Sequence, residues 1–376
     1  MKTQTIAAGV KKTASKTPAK RSVVRKTKNN KVRPTPEGIK RINLALQGGG
    51  AHGAFAWGVM DKFLEDGRIE IEGISGTSAG SMNAVVYAYG ALKGKDATRA
   101  ALHDYWQAIS NAGQRYSMVK QTPWEQMFGG WSMERSMASE GFKLLTSTFS
   151  PYQLNPMNFN PLRELLDAHV DFEELGKSRV TKLFLSATNV RTGKVRVFHT
   201  HEITADVVLA SACLPFLFQA VEIDDEHYWD GGYMGNPALY PLFYHTDSRD
   251  VVILQINPVE RAGPPTQSSE IANRVNEITF NSALIKELRS VYFVQQLLDQ
   301  GKIKEEYRDD FKYVLIHSIR ADSALSDLPV SSKFAYEWDF LTMLRDRGRD
   351  CASEWIDRYF KDIGIRSTVD LKREFL

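Results

Sequence analysis

Residues 69–80 read Ile-Glu-Ile-Glu-Gly-Ile-Ser-Gly-Thr-Ser-Ala-Gly, an isoleucine-rich run that passes directly into a Gly-x-Ser-x-Gly pentapeptide. The first half is short and partly alternating, which predicts a β-strand. The small, apolar residues 79–92 that follow predict a buried helix. A serine on a sharp strand-to-helix turn needs small neighbours if its hydroxyl is to stand clear of the backbone. Gly76 and Gly80 meet that need around Ser78, so this serine is a candidate nucleophile.

A second glycine-rich turn lies one strand–helix unit earlier in the chain. Residues 42–46 predict a buried strand, and residues 54–64 predict a helix that ends at Gly67. The turn between them is Gly48-Gly-Gly-Ala-His-Gly53. Consecutive glycines can direct several backbone N–H groups toward one point, as the oxyanion of an acyl-transfer intermediate requires. We therefore predict an oxyanion hole in this glycine loop, formed by Gly48, Gly49, Gly50, Ala51, His52 and Gly53.

The same loop also matches the Gly-x-Gly-x-x-Gly pattern of dinucleotide-binding proteins through Gly48, Gly50 and Gly53. In that fold the second strand ends in an acidic residue that binds the ribose. Here the second strand passes through Ile74 and Ser75 into the serine pentapeptide. Binding of NAD or FAD is therefore the less favoured interpretation.

A nucleophilic serine needs a base, and the order of residues favours an aspartate over a histidine. A conventional α/β-hydrolase order would leave only His245 or His317 after an acid near residue 230. The nucleophile of such enzymes usually follows several strands, whereas Ser78 would follow only the second. The candidate base is Asp230, which precedes two glycines at the end of a predicted hairpin.

Four of these motifs, taken in order, resemble the patatin-like phospholipases. They are the glycine loop, the serine pentapeptide, the small-residue segment Ala210-Ser-Ala-Cys-Leu-Pro215, and Asp230-Gly-Gly232. The resemblance covers about residues 40–260. It implies a Ser78–Asp230 dyad with the glycine loop as oxyanion hole. Such a dyad requires no catalytic histidine and no metal or other cofactor. Members of the family commonly carry Arg or Lys at the position of His52, so we expect this histidine only to brace the loop.

The alternation of strands and helices before residue 260 predicts an α/β fold. We expect a mostly parallel central sheet flanked by helices, and the resemblance implies the family's three-layer sandwich. Beyond residue 265 the apolar spacing predicts a helical C-terminal extension. The predicted domains are a disordered basic arm at 1–38, a catalytic α/β domain at 39–265, and a mainly helical region at 266–376 packed on the same core.

The first 33 residues contain eight lysines and three arginines but no acidic residue. Such a segment cannot bury enough apolar surface to fold. It suits peripheral contact with an anionic membrane or lipid granule, where each basic side chain contributes about 1 kcal/mol. Nucleic acid is a less favoured partner, and a solubilising spacer is the alternative. The chain has no apolar run of about 18 residues, and its two cysteines fit a reducing compartment, so we expect a cytoplasmic protein.

Two segments have alternative interpretations. The aromatic and methionine-rich residues 105–160, which include Trp106 and Tyr116, suit either an adaptable lid or acyl-chain pocket, or an ordinary core segment. The acidic run at 224–226 suits a hairpin turn better than a calcium site.

Taken together, the motifs predict a serine hydrolase that acts on carboxylic esters. The resemblance implies a lipid acyl hydrolase similar to phospholipase A, with a Ser78 acyl-enzyme and Asp230 as the base. A hydrolase of neutral lipids or storage polyesters is the alternative. A nucleotide-binding protein, or a surface-attached scaffold with an inactive hydrolase body, is less favoured.

Overall fold

The computed structural model describes residues 36, 38–116, 145, 148–261 and 263–376. Nearly all of the predicted basic arm lies outside the described residues, as does most of the aromatic segment between residues 117 and 147. The remaining predictions concern described parts of the chain.

The strands of the described chain belong to one sheet. They are β1 (Lys40–Leu46), β2 (Ile69–Gly76), β3 (Lys182–Asn189), β4 (Val195–His199), β5 (Val221–Ile223), β6 (Glu226–Asp230), β7 (Asp250–Gln255) and β8 (Leu315–Arg320). Neighbouring strands pair in the succession β5-β6-β3-β2-β1-β7-β8, and β4 also pairs with β3. Strands β1, β2, β3, β7 and β8 run parallel, whereas β4 and β6 are antiparallel to β3. The mostly parallel sheet predicted from the sequence is confirmed.

Helices occupy the connections and the C-terminal third of the chain. The first six are α1 (Gly53–Asp66), α2 (Ala79–Ala91), α3 (Lys95–Tyr116), α4 (Pro151–Leu154), α5 (Pro161–His169) and α6 (Phe172–Gly176). The others are α7 (Ala205–Ser211), α8 (Tyr240–His245), α9 (Ser268–Asp299), α10 (Glu305–Arg308), α11 (Trp338–Tyr359) and α12 (Leu371–Phe375). Short 3₁₀ helices lie at Gly50–His52, Thr200–Glu202, Gly231–Tyr233, Val330–Phe334 and Phe360–Asp362.

Strand β1 is buried on both faces, and its alternate side chains belong to two separate hydrophobic clusters. Leu44 and Leu46 pack with residues of α1, α2 and α11 on one face. Ala45 packs with residues of α8, α9 and α12 on the other face. A parallel strand covered on both sides is typically a near-continuous apolar run, and residues 42–46 are apolar apart from the buried Asn43. The sheet therefore lies between two helical layers, and the predicted helical C-terminal extension supplies helices to both.

The pairing of β3 brings two distant parts of the chain together. Strand β4 occupies one edge of β3, pairing with residues 184–188. Strands β2 and β6 must therefore share the other edge, where Gly76 pairs with Leu185 and Asp230 pairs with Ala187. Because β6 runs opposite to β2, the two strands end facing each other across Ser186. This arrangement places the serine pentapeptide beside Asp230.

The first residues of the aromatic segment 105–160 lie in helix α3. Tyr105 and Trp106 are buried, and the Trp106 indole donates to Asn83 Oδ1 at 3.0 Å and stacks on Trp57. The interpretation of Trp106 as part of a lid is therefore wrong, since its ring is part of the core. Tyr116, at the end of α3, is partly exposed.

The acidic run at 224–226 forms the predicted hairpin turn. Asp224 and Asp225 have φ angles of 51° and 62°, and the flanking Ile223 and Glu226 pair across the two strands. Positive φ at both central residues is characteristic of a type I′ turn, which favours Asp. Among the described residues, no group of three or more His, Cys, Asp or Glu side chains could hold a metal ion.

None of the helices in the described ranges combines the length and the apolarity that crossing a bilayer requires.

Candidate active site

Ser78 occupies a sharp turn between β2 and α2. Its φ and ψ angles are 54° and −124°, a conformation that costs a non-glycine residue about 1–3 kcal/mol. The turn is held by its neighbours, because the Ser78 N–H donates to Ser211 Oγ at 3.0 Å and the Ser81 hydroxyl donates to the Ser78 carbonyl at 2.6 Å. A Cβ atom on Gly80 would lie 2.4 Å from the Leu46 carbonyl oxygen, so this position has no room for a side chain. Gly76 is equally confined, because a Cβ there would lie 2.6 Å from the carbonyl oxygen of Gly80.

Asp230 ends β6 and is held by backbone contacts on both sides. Its N–H donates to the Cys213 carbonyl at 2.7 Å, and the Thr188 hydroxyl donates to its carbonyl at 2.8 Å. Its carboxylate accepts a hydrogen bond from the Gly232 N–H at 2.7 Å, and the Ser78 hydroxyl lies close enough to lower its pKa. The carboxylate is thus fixed against the candidate nucleophile by contacts from three separate segments.

The environment of Asp230 changes its acidity. The residue is only 1% exposed. Burial raises the pKa of Asp230 to about 7, although the hydrogen bond from Gly232 and the nearby Ser78 hydroxyl oppose this shift. A carboxylate with a raised pKa accepts a proton more readily and suits general-base catalysis near neutral pH.

The glycine loop packs directly against the serine turn. A Cβ atom on Gly48 would lie 2.6 Å from the Cβ of Ser78. Gly50 has a φ of 57° and approaches the C-terminal part of the chain so closely that a Cβ there would lie 2.3 Å from the Lys333 carbonyl oxygen. These two positions therefore require glycine, one for its small size and one for its conformation as well.

Some of the loop N–H groups already have acceptors in the protein. The Gly48 N–H donates to Asn236 Oδ1 at 2.7 Å, the His52 N–H donates to the Gly49 carbonyl, and the Gly53 N–H reaches the carbonyls of Gly50 and Ala51. Within the described chain no acceptor pairs with the N–H groups of Gly49, Gly50 and Ala51, nor with that of Ala79 at the start of α2. The oxyanion hole stays a prediction, and these four N–H groups are the donors that the geometry leaves for it.

His52 connects the glycine loop to the C-terminal region. Its Nε2 atom lies 2.8 Å from Ser332 Oγ, and the side chain is buried. Burial, reinforced by the nearby Lys333 cation, lowers the pKa of His52 to about 3. An imidazole that stays neutral and is bonded to a neighbouring segment has the geometry of a structural brace.

The two histidines of the alternative triad have partners elsewhere. His317 is fully buried, with Nε2 3.0 Å from Asp250 Oδ1 and Nδ1 3.1 Å from Thr368 Oγ1. The ring of His245 stacks on Phe184. The titratable side chain beside the Ser78 hydroxyl is instead that of Asp230, whose pKa this hydroxyl lowers.

A network of buried amides supports the glycine loop, and the sequence analysis did not identify it. Gln47 accepts from the N–H groups of Ile256 and Asn257, and its own amide donates to Asn281 Oδ1 at 3.1 Å. Asn257 in turn donates to the Gly48 carbonyl at 2.8 Å. The available signal was their position, since Gln47 and Asn257 follow the carboxyl ends of β1 and β7, where α/β proteins place their sites.

Comparison with known proteins identifies the family of the chain. The sequence model of the patatin-like phospholipases matches residues 44–243, which is more than half of the chain and includes the glycine loop, Ser78 and Asp230. The fold is an α/β sandwich in which a strained serine turn and a glycine loop pack together beside a mostly parallel sheet. The chain belongs to the patatin-like phospholipase family, a family of lipid hydrolases. No curated protein matches the chain significantly.

Two solved structures are similar in fold. VipD from Legionella pneumophila is 14% identical, with a TM-score of 0.42 over 85% of this chain and 67% of that one. ExoU in its complex with SpcU, from the type III secretion system of Pseudomonas aeruginosa, is 16% identical, with a TM-score of 0.38 over 86% of this chain. The match spans about half the length of the ExoU chain, 52%.

Proposed function

We propose that the protein hydrolyses carboxylic esters of lipids through a covalent acyl-enzyme on Ser78, with Asp230 as the base. The observation that carries this proposal is the strained turn that holds Ser78 beside a buried carboxylate whose pKa is raised to about 7. Membership of the patatin-like phospholipase family supports a lipid as the substrate.

In the first half of the reaction, Ser78 Oγ attacks the acyl carbonyl while its proton passes to the Asp230 carboxylate. The carbonyl oxygen becomes an anion, and its hydrogen-bond donors come from the N–H groups of Gly49, Gly50, Ala51 and Ala79, which have no acceptor in the described chain. Collapse of this intermediate breaks the bond to the alcohol, and Asp230 returns the proton to the leaving oxygen. The acyl group is then an ester of Ser78.

In the second half, Asp230 takes a proton from water as the water oxygen attacks the acyl-enzyme. The same N–H groups stabilise the second oxyanion. The bond to Ser78 Oγ breaks, Asp230 returns the proton to that oxygen, and the free acid leaves. A single carboxylate therefore serves both steps, and neither step requires a histidine or a metal.

The proposal also covers the substrate, the domains of the chain and the location of the enzyme. A phospholipid acyl ester is the favoured substrate, and a neutral lipid or storage polyester is the alternative. Residues 1–38 would form a basic arm that holds the enzyme at an anionic membrane or granule surface. Residues 39–265 would be the catalytic domain and residues 266–376 a helical region on the same core. The cytoplasm is the proposed location.

Labelling with a fluorophosphonate probe tests the nucleophile. Wild-type protein should be labelled, whereas Ser78→Ala should not be labelled and Asp230→Asn should react far more slowly. Exposed residues provide matched controls, Ser290→Ala and Asp225→Asn, which should be labelled at the wild-type rate. Unchanged labelling of Ser78→Ala would contradict the proposal.

Substrate class follows from acyl release in the same set of variants. Phospholipid vesicles, triacylglycerol emulsions and a short-chain polyester should be compared, each with and without anionic lipid. Ser78-dependent release of fatty acid from phospholipid supports the favoured substrate. Release only from the polyester or the neutral lipid would support the alternative.

A further inference from the structure

The C-terminal segment Val330–Phe334 lies directly on the glycine loop. Ser332 Oγ is 2.8 Å from His52 Nε2, and the Lys333 carbonyl oxygen leaves no room for a side chain on Gly50. The segment lies outside residues 44–243, the range that the family's sequence model matches. A part of the chain beyond the matched range therefore contacts the candidate oxyanion donors.

The side chain of Lys333 extends toward an amide of the buried network. Its Nζ donates to Asn257 Oδ1 at 2.8 Å, and Asn257 is only 3% exposed. Of the charged groups around this ammonium, Glu277 raises its pKa and Arg261 lowers it, but burial is the largest influence and brings the pKa of Lys333 to about 8. Glu277 is itself bound by Arg261 and Arg274, and the nearby His52 is neutral. A cation is thus held behind the glycine loop.

Asn257 connects this cation to one particular peptide group. Its Nδ2 donates to the Gly48 carbonyl at 2.8 Å, while its Oδ1 accepts from Lys333. The Gly48 carbonyl and the Gly49 N–H belong to the same planar peptide. Hydrogen bonds in such a chain polarise one another, so a donor at the carbonyl makes the N–H of that peptide a stronger donor. The Gly49 N–H is one of the candidate oxyanion donors.

We propose that Lys333 is a positioning residue of the oxyanion hole, acting through Asn257 on the peptide between Gly48 and Gly49. The ammonium, the amide and the peptide form one chain of aligned dipoles whose last N–H has no acceptor in the described protein. The charge stabilises the arrangement most when negative charge develops at the end of that chain, which happens in the transition state and not in the bound ester. This inference rests on the proposed function.

Replacement of Lys333 by methionine tests the inference, with Lys302→Met at an exposed position as the matched control. In hydrolysis of a soluble short-chain ester, Lys333→Met should lower kcat about tenfold and leave KM unchanged. That loss is smaller than the roughly hundredfold or greater loss that follows removal of an oxyanion donor. The Lys302→Met control should match wild type in both constants. Thermal unfolding of each variant would show that the protein tested is folded.

A double-mutant cycle separates action through Asn257 from a general effect of charge. Asn257→Leu should lower kcat, and adding Lys333→Met in that background should cause little further loss. If the double variant instead loses kcat by the product of the two single-variant losses, the proposed relay is overturned. If Asn257→Leu does not fold, Lys333→Met alone tests the inference. An unchanged kcat in Lys333→Met overturns the inference, and so does a rise in KM without a fall in kcat.

The pH profile provides an independent readout that a purely structural lysine would not change. In wild type, kcat should decline above about pH 8 as Lys333 loses its proton. In Lys333→Met the decline should be absent, and its persistence would contradict the inference. Absence of Ser78-dependent activity in wild type would instead remove the proposed function, and the inference with it.

Discussion

Replacement of Asp230 by asparagine should make the protein more stable at neutral pH while it removes the base. The carboxylate has a pKa of about 7 in the folded protein, against an ordinary value of 3.8. Between about pH 4 and 7 the folded protein therefore holds a proton that the unfolded chain has released. Stability of wild type falls as the pH rises through this interval. Asparagine is uncharged at every pH, so the variant escapes this loss.

The magnitude follows from the two pKa values. Each unit of difference corresponds to about 1.4 kcal/mol, so the full cost of ionising Asp230 in the fold is about 4 kcal/mol. Between pH 5 and pH 8, a range accessible to experiment, this cost lowers the free energy of unfolding of wild type by about 3 kcal/mol. The variant keeps an oxygen for the Gly232 N–H, so its remaining contacts are similar to those of wild type.

Chemical denaturation followed by tryptophan fluorescence measures this difference. We expect the free energy of unfolding of Asp230→Asn, relative to wild type, to increase by about 3 kcal/mol between pH 5 and pH 8. Asp225→Asn, in the exposed hairpin turn, should show no such change. The assignment of a raised pKa to this carboxylate would be refuted if the difference in free energy of unfolding between the two proteins stayed constant with pH. It would also be refuted if wild type were the more stable protein at pH 8.

Three further outcomes follow from the same site. Ester hydrolysis by wild type should fall as the pH drops below about 7, because protonation of Asp230 removes the base, and activity retained in full at pH 5 would argue against that role. Gly50→Ala should lower the free energy of unfolding by about 1–3 kcal/mol and reduce kcat, because alanine is strained at this positive φ and its Cβ meets the Lys333 carbonyl oxygen. A variant with unchanged stability and kcat would show that the loop can shift. Trp106→Phe should cost about 1 kcal/mol of stability through the lost bond to Asn83 with KM unchanged, whereas a changed KM at native stability would restore the lid interpretation.

Local features of this fold could be predicted from the sequence because their causes are local. The strand before Ser78, the helix after it and the stop at Gly67 depend on nearby residues, and each lies within about two residues of its predicted position. Leu102, Tyr105, Trp106 and Ile109 recur at helical spacing, so the core position of Trp106 was also available from the sequence. The sequence analysis left both alternatives open because the tryptophan was grouped with the aromatic residues that follow it.

Other features depend on contacts between distant parts of the chain. Asn257 and Lys333 are 76 positions apart, and neither belongs to a recognisable motif. Their alignment with Gly48 results from the packing of a C-terminal turn on the loop. The shared edge of β3 is another such feature, because no pattern within β2 or β6 indicates that the two strands end against each other.

That shared edge makes the distance between nucleophile and base a property of the backbone. Strands β2 and β6 stop at Leu185 and Ala187 of the same neighbour. A slip of one residue in either pairing would displace the two ends by about 3.3 Å and turn alternate side chains to the opposite face. A nascent or partly assembled chain would consequently be inert until β3 has captured both strands in register.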